Sequence, residues 1–227
     1  MNMSAQLFPK AVIFDLDGTL IHSAPDLHAA LNRLMLLEGR RLLEITEVVR
    51  MIGDGVPKLV ERGYEATGEL PIAAELAEKT ALFVEDYENH ATDLTTLFPN
   101  VAETLKVLTK NKIPMGICTN KPQAATLKVL EHFGLSGVFK AVIGGDQLGG
   151  VRKPDPRHLM AALDLLGVAP NHAVMVGDSP NDIDVAINAG VRSVAVSFGY
   201  RRVPVTAMGA THIIDGFSDL LCVLNQI

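Results

Sequence analysis

Short apolar runs alternate with segments of helical periodicity over most of the chain. The runs are too short for helices and end at glycine or a polar residue, which predicts buried β-strands. The predicted strands are residues 12–14, 114–118, 141–144, 173–177, 193–196 and 212–214. Helices are predicted between and after them, around residues 101–108, 122–132, 156–166, 180–189 and 217–224. This alternation predicts an α/β fold in which a Rossmann-like parallel sheet carries helices on both faces, joined by right-handed crossovers.

Between the first two predicted strands the pattern stays helical. A helix begins near Ser23, with Pro25 in its first turn, and apolar residues recur at helical spacing to about Asp93 without a strand-like run. This predicts an inserted all-helical cap domain. Residues 20–93 would form the cap, and residues 1–19 and 94–227 the α/β core.

Polar side chains follow the ends of three predicted strands. Asp15 and Asp17 end the first, Thr119 and Asn120 follow the second, and Asp178 follows a later one. Open parallel sheets bind ligands at the carboxyl ends of their strands. Two carboxylates as close as Asp15 and Asp17 repel each other unless they share a cation or a proton, which suggests a hard divalent metal, most simply Mg²⁺. A turn or a helix cap is the ordinary alternative for any one of these residues.

Lys153 follows the strand at residues 141–144 and belongs to the same predicted edge. Alone, Lys153 is more typical of a solvated surface charge, and Thr119 of a turn. Together with the acids they form a complementary set, because acids hold a metal, a lysine and a hydroxyl bind anionic oxygens, and one aspartate can attack. That set matches phosphoryl transfer.

Four segments in order resemble the motifs of the haloacid dehalogenase-type phosphohydrolases, over nearly the whole chain. Any one motif is weak evidence, but the ordered set is a strong signal. The predicted helical insertion is similar to the cap of the first subclass of that family. The matching segments are DLDGT at 15–19, CTN at 118–120, KPDP at 153–156 and GDSPND at 177–182.

Looser segments are most similar to the bacterial phosphoglycolate phosphatases within that family. Two positions depart from the pattern of that subfamily. One is His22, where the subfamily often carries Asp. The other is the segment at residues 149–152, which precedes the third motif and matches the subfamily less closely. The resemblance implies Mg²⁺-dependent hydrolysis of 2-phosphoglycolate to glycolate through an aspartyl-phosphate. The looser segments are residues 23–27, 53–62, 118–122 and 142–146.

The resemblance also implies a role for each motif residue. Asp15 would be the nucleophile and Asp17 the general acid and then base, while Lys153 and Mg²⁺ neutralise charge. The implied metal ligands are Asp15, Asp17 through its backbone carbonyl, and Asp178. Asp182 would lie behind them, orienting metal-bound water or Lys153. The residues implied to hold the phosphoryl oxygens are Thr119, Asn120, Lys153, Gly18 and Thr19.

Substrate choice is expected to come from the cap, because the core motifs contact only the phosphoryl group and the metal. The candidate loop is Gly53, Asp54 and Gly55, with Lys58 or Arg62 near a substrate carboxylate. A helix–helix turn with surface charges is an equally good interpretation of this segment.

Composition excludes several other classes. The 227-residue chain has a formal net charge of −6 and few clustered basic residues, which disfavours nucleic-acid binding. No apolar run approaches the roughly 18 residues of a membrane span. Cys118 and Cys222 require no disulfide, and the first ten residues do not resemble a signal peptide, so the expected setting is cytoplasmic. The expected partner is a small phosphate ester, and the expected state is a monomer or homodimer.

Several alternatives remain open at this point. One is another cap-subclass phosphatase, a phosphomutase of sugar phosphates or nucleotides, or a pyrophosphatase. A receiver-type signalling domain also uses Asp, Mg²⁺, Thr and Lys, but its acceptor would come from a middle strand without a helical insertion. A catalytically inactive relative is disfavoured by the intact set, and a dehalogenase by Asp17 and Asp178. A phosphonate hydrolase would need a cap lysine such as Lys58 or Lys79, which lacks supporting context.

Overall fold

A computed structural model describes residues 9–200 and 202–227. The strands are β1 (Ala11–Phe14), β2 (Ile21–His22), β3 (Thr96–Leu97), β4 (Met115–Cys118), β5 (Ala141–Ile143), β6 (Ala173–Gly177), β7 (Arg192–Val196) and β8 (His212–Ile214). The α-helices are α1 (Ala24–Leu37), α2 (Ile45–Val49), α3 (Val56–Thr67), α4 (Ala73–His90), α5 (Val101–Lys110), α6 (Gln123–His132), α7 (Pro156–Leu166), α8 (Pro180–Ala189) and α9 (Leu220–Leu224).

In the described part of the chain, the main sheet has six parallel strands in the order β5-β4-β1-β6-β7-β8. Strand β1 lies in the middle, where Phe14 is in register with Ile117 of β4 and Val176 of β6. The chain order reverses at β1, because later strands lie on both of its sides. Such a switch point is where open α/β sheets place their ligand sites.

The sheet is apolar on both faces, as the short runs predict. Val12 and Phe14 belong to one buried cluster with residues of α5 and α6, whereas Ala11 and Ile13 belong to another with residues of α7 and α8. Successive side chains of a strand point to opposite faces, so β1 is covered on both sides. The predicted fold class is confirmed.

Helices α1 to α4 pack on one another beside the sheet. Tyr64 of α3 and Phe83 and Tyr87 of α4 are almost completely buried, and the cluster that holds them continues into the core over α1. The division into residues 20–93 and the remainder stays a prediction.

Two very short strands, absent from the sequence prediction, mark the junctions of this helical block. Strand β2 pairs antiparallel with β3, so the outgoing and returning segments run side by side. The Asp26 carboxylate strengthens the junction by accepting hydrogen bonds from the main-chain N–H groups of Leu94 and Thr95 and from the Thr95 hydroxyl, at 2.7–3.1 Å. A strand of two residues is too short to leave a periodic pattern.

Four smaller points concern the last helix, the cysteines, residues 1–8 and membrane spanning. The predicted last helix is a 3₁₀ turn (Phe217–Asp219) followed by α9. Both Cys118 and Cys222 are free thiols. Residues 1–8, on which the signal-peptide prediction largely depends, lie outside the described residues. Among the described helices, none has both the length and the apolar character needed to span a membrane.

Candidate active site

Three carboxylates meet at the carboxyl edge of the sheet. Asp15 directly follows β1, Asp178 directly follows β6, and Asp182 lies in the first turn of α8, all buried. One oxygen from each lies within 4.8 Å of the others. Asp182 holds its place by accepting hydrogen bonds from the N–H groups of Asp178 at 3.1 Å and Ser179 at 2.9 Å, an arrangement that also caps α8.

Lys153 supplies the positive charge of this cluster. Its ammonium lies 2.8 Å from Asp15 Oδ1 and 2.5 Å from Asp182 Oδ1, and its side chain is 2% exposed. Its main-chain N–H donates to Asn120 Oδ1 at 3.0 Å and to His158 Nδ1 at 3.2 Å. The structure therefore brings together the sequence-predicted Asp15, Asp178, Asp182 and Lys153.

Among the described residues, three buried carboxylates face a single ammonium, and their pKa values reflect this. Burial, then repulsion from Asp182, raises the pKa of Asp15 to about 6, although Lys153 opposes the rise. Burial and the charges of Asp182 and Asp15 raise the pKa of Asp178 well above its usual range. For Lys153 burial works against the charge, but Asp15 and Asp182 raise its pKa above the usual range. Acids that are hard to ionise together indicate a place for further positive charge.

The donor set fits a hard divalent cation such as Mg²⁺. Asp15 Oδ1 is buried and has Lys153 as a charge partner, but it accepts no hydrogen bond of good geometry among the described residues. The Asp178 carboxylate is oriented by the Tyr200 N–H at 2.5 Å and the Thr19 hydroxyl at 3.3 Å. Carboxylate oxygens held in this way are the ligands that Mg²⁺ prefers.

Asp17 turns its side chain away from these acids. Asp17 Oδ1 accepts hydrogen bonds from the Ser23 hydroxyl at 2.5 Å and from Lys121 Nζ at 3.0 Å. Lys121 is 5% exposed, contacts the Tyr87 hydroxyl, and lies over the Tyr87 ring at 4.5 Å from its centre. A metal contact by the Asp17 backbone carbonyl stays a prediction.

Sequence reasoning assigned no role to Lys121, although it follows directly on the CTN motif. Its position after a strand-end motif was the available signal. Gly199 and Tyr200 follow the strand predicted at residues 193–196, but they belong to no motif, so the sequence indicates no role for them. A Cβ on Gly199 would overlap the Asp178 side chain, so only glycine fits this close approach. The Tyr200 hydroxyl accepts from the Ala24 N–H at 3.0 Å and lies 2.8 Å from His22 Nδ1, which places His22 at the junction of the helical block.

A cleft of about 550 Å³, including its open mouth, lies over these groups. Thr119 and Asn120 line it together with Asp15, Asp17 and Asp178. The Asn120 amide is used internally, since it also donates to the Lys153 carbonyl at 3.1 Å. The helical block covers the far side with apolar and aromatic residues. They are Leu27, Ile52, Val56, Leu59 and Tyr87.

The predicted cap loop reaches the edge of the sheet. The Gly53 carbonyl accepts from Asn120 Nδ2 at 3.0 Å and from Asn181 Nδ2 at 3.2 Å. Gly53 and Gly55 both line the cleft, and both have positive φ, at 119° and 88°. This loop therefore closes one wall of the site with main-chain atoms.

The charged residues of that loop and helix are paired with one another. Asp54 binds Arg62 at 2.5 Å and Arg202 at 2.7 Å, and these groups with Asn181 lower its pKa although burial opposes the shift. Lys58 pairs with Glu61 at 2.7 Å on a helix surface. Neither Lys58 nor Arg62 is among the described residues that line the cleft, so the structure does not bring them to the site as expected.

His158 holds the segment before α7, and its protonation is expected to weaken the fold. Its Nδ1 accepts from the Lys153 N–H, so its Nε2 carries the proton and donates to the Gly144 carbonyl at 3.1 Å. Burial, then repulsion from Lys153, lowers its pKa from 6.5 to about 4. The unfolded chain binds this proton at higher pH than the folded chain does. Stability therefore falls as pH drops from 6.5 towards 4, by about 2–3 kcal/mol from this group.

Urea unfolding between pH 4.5 and 7 measures the effect. His158→Asn keeps an acceptor near the Nδ1 position. Between pH 7 and pH 4.5 its free energy of unfolding should fall by about 2 kcal/mol less than that of the wild type. His132→Asn on the exposed surface of α6 is the matched control and should leave the slope unchanged. If the free energy of unfolding changed equally with pH in the wild type and in His158→Asn, the expectation would be wrong.

Buried carboxylates around a buried lysine, at the switch point of a parallel sheet and under a helical cover, define a phosphoryl-transfer site. Residues 9–190 match the family model described as haloacid dehalogenase-like hydrolase. The chain belongs to this family of hydrolases.

Comparison with similar proteins indicates which kind of hydrolase this chain is. A phosphoglycolate phosphatase of Rhodospirillum rubrum is 42% identical over 216 residues, covering 93% of this chain and 89% of its own length. Phosphoglycolate phosphatase 1 of Pseudomonas aeruginosa is 39% identical over 230 residues, covering 98% of this chain and 82% of its own. A crystal structure from Haemophilus somnus, described as a predicted phosphoglycolate phosphatase, superposes with a TM-score of 0.90 at 30% identity, covering 98% and 99% of the two chains. The chain is a phosphoric monoester hydrolase.

Proposed function

We propose that this enzyme is a Mg²⁺-dependent phosphatase that hydrolyses 2-phosphoglycolate to glycolate through an aspartyl-phosphate. The observation that carries the proposal is Asp15, buried 2.8 Å from Lys153 and facing a cleft that also contains Asp17. The relatives named phosphoglycolate phosphatase support the choice of substrate.

In the first step an Asp15 carboxylate oxygen attacks phosphorus. The bond between phosphorus and the ester oxygen breaks, and that oxygen leaves with a proton from Asp17 as the hydroxyl of glycolate. In the second step water attacks the aspartyl-phosphate and gives a proton to Asp17. Inorganic phosphate leaves, the Asp15 carboxylate is restored, and Asp17 is ready for another cycle.

Other residues prepare this site for a doubly negative phosphate. Asp15, Asp178 and the carbonyl of Asp17 would hold Mg²⁺, which supplies positive charge against the phosphoryl oxygens. Lys153 adds a second positive charge, and Asp182 fixes the Lys153 ammonium at 2.5 Å. Thr119 lines the cleft and offers a hydroxyl to a phosphoryl oxygen.

The test is phosphate release from 2-phosphoglycolate against sugar phosphates, nucleotides and pyrophosphate, with and without EDTA. We expect 2-phosphoglycolate to have the highest kcat/KM of the panel. EDTA should abolish turnover, and added Mg²⁺ should restore it. A higher kcat/KM for another ester would refute the assigned substrate, and isomerised phosphate in place of free phosphate would indicate a mutase.

A further inference from the structure

We propose that Lys121 is the specificity-determining residue of this phosphatase, binding the carboxylate of the leaving group next to the scissile bond. This inference rests on the proposed function and names the group that recognises glycolate. The established motifs account for the phosphoryl end of the substrate only, so the leaving-group end needs a recognition element of its own.

The first argument is the position of the ammonium. Lys121 lies three residues beyond the carboxyl end of β4, and its side chain is 1% exposed. Its Nζ lies 3.0 Å and 3.3 Å from the two carboxylate oxygens of Asp17, the residue that must reach the ester oxygen of the substrate. The ammonium is therefore fixed on the leaving-group side of the cleft.

The second argument is the shape of the substrate. In 2-phosphoglycolate one methylene separates the ester oxygen from the carboxylate carbon. When the ester oxygen is within hydrogen-bond reach of Asp17, at about 3 Å, the carboxylate lies within a few ångströms of the same side chain. Lys121 Nζ occupies that region.

The third argument is the lining of the cleft. Lys121 is the one basic side chain among the described residues that line it. The helical block contributes apolar and aromatic side chains opposite, including Leu27, Leu59 and Tyr87. A carboxylate placed against these side chains without a cation would lose its hydration without compensation. Lys121 is thus the group available to receive it.

Binding at Lys121 would also change the contacts of Asp17. A substrate carboxylate at Nζ replaces Asp17 as the acceptor, which frees the Asp17 side chain to turn from Lys121 towards the ester oxygen. An uncharged leaving group offers no such exchange. Specificity should therefore appear in kcat as well as in KM.

The test compares 2-phosphoglycolate with ethyl phosphate, which has the same chain length but lacks the carboxylate. Wild type should favour 2-phosphoglycolate in kcat/KM. Lys121→Met, which keeps much of the side-chain length without the charge, should reduce that preference by about 10- to 100-fold, the range for a lost hydrogen bond to a charged group. Lys121→Arg should retain most of the preference. Lys106→Met, on the exposed surface of α5, is the matched control and should keep the wild-type ratio.

If Lys121→Met is inactive, a binding measurement can still test the preference for the carboxylate. Calorimetry on Asp15→Asn, with and without Lys121→Met, gives the ratio of Kd values for the same two esters. Loss of the preference upon Lys121→Met supports the inference. An unchanged preference in Lys121→Met overturns the role of Lys121 but leaves the proposed function standing. A wild type that does not favour 2-phosphoglycolate over ethyl phosphate overturns both.

Discussion

Asp15→Asn is expected to abolish phosphate release, by at least ~10⁴-fold in kcat, because an amide cannot serve as the attacking carboxylate. The change is nearly isosteric at the end of β1, where the surrounding strands and Lys153 hold the position. Steady-state assays of phosphate release with saturating Mg²⁺ measure the loss.

The variant should remain folded. Burial and repulsion from Asp182 already disfavour the ionised Asp15 side chain, so its neutral replacement should change the free energy of unfolding by no more than about 1 kcal/mol. Asp164→Asn, on the exposed surface of α7, is the control for a carboxylate lost elsewhere and should keep full activity. An active Asp15→Asn enzyme would leave the nucleophile unassigned and overturn the mechanism.

Asp182→Ala is expected to damage both activity and stability. The change removes one of the two carboxylates around the buried Lys153 and also the acceptor of the Asp178 and Ser179 N–H groups. Lys153 keeps Asp15 as a charge partner, but each buried N–H group left without an acceptor costs about 1–3 kcal/mol. Misplacement of Lys153 should lower kcat/KM by about 10²-fold or more.

Asp184→Ala provides the matched control, because Asp184 is exposed two residues further along α8. It should lose less than about 1 kcal/mol of stability and keep its activity. Denaturant unfolding measures the loss of stability in both variants, and phosphate-release assays measure the loss of activity. Comparable losses in Asp182→Ala and Asp184→Ala would indicate a general effect on α8 in place of a specific hold on Lys153.

The sheet was predictable because its strands are covered on both faces. Apolar runs such as β1 need cover on both faces, and they stop directly before a polar residue such as Asp15 or Asp178. Parallel pairing then forces these ends to one edge. The proximity of Asp15, Lys153, Asp178 and Asp182 follows from this geometry, and the four motifs identified the residues in advance.

The residues around Asp17 and Asp178 that lie outside the motifs were harder to predict. Lys121 looks like a surface lysine in the sequence, and only the packing of Tyr87 from α4 shows that it is buried. Gly199 and Tyr200 follow β7, whose contribution to the site depends on strand order and not on any local pattern. Long-range pairing of this kind leaves no periodic signal in the chain.

The expected cap cations illustrate the same limit. Lys58 and Arg62 lie near the Gly53–Gly55 turn in the sequence, but each is engaged by a nearby acid, Glu61 or Asp54. Charge type and spacing alone cannot show whether a cation lines the cleft, as Lys121 does, or pairs with an acid away from it. The backbone of the turn, by contrast, reaches the site where it was expected.

The pairing of β2 with β3, reinforced by Asp26, would restrict how the helical block can move relative to the sheet. Both covalent links to the helical block are held together by hydrogen bonds, so they would act as one hinge in any rotation of the block. A swing of the block must flex both links in concert about one axis. Entry of an ester and escape of its products would then depend on the stiffness of the β2–β3 pair, which begins at Ile21, a residue bridged to Asp17.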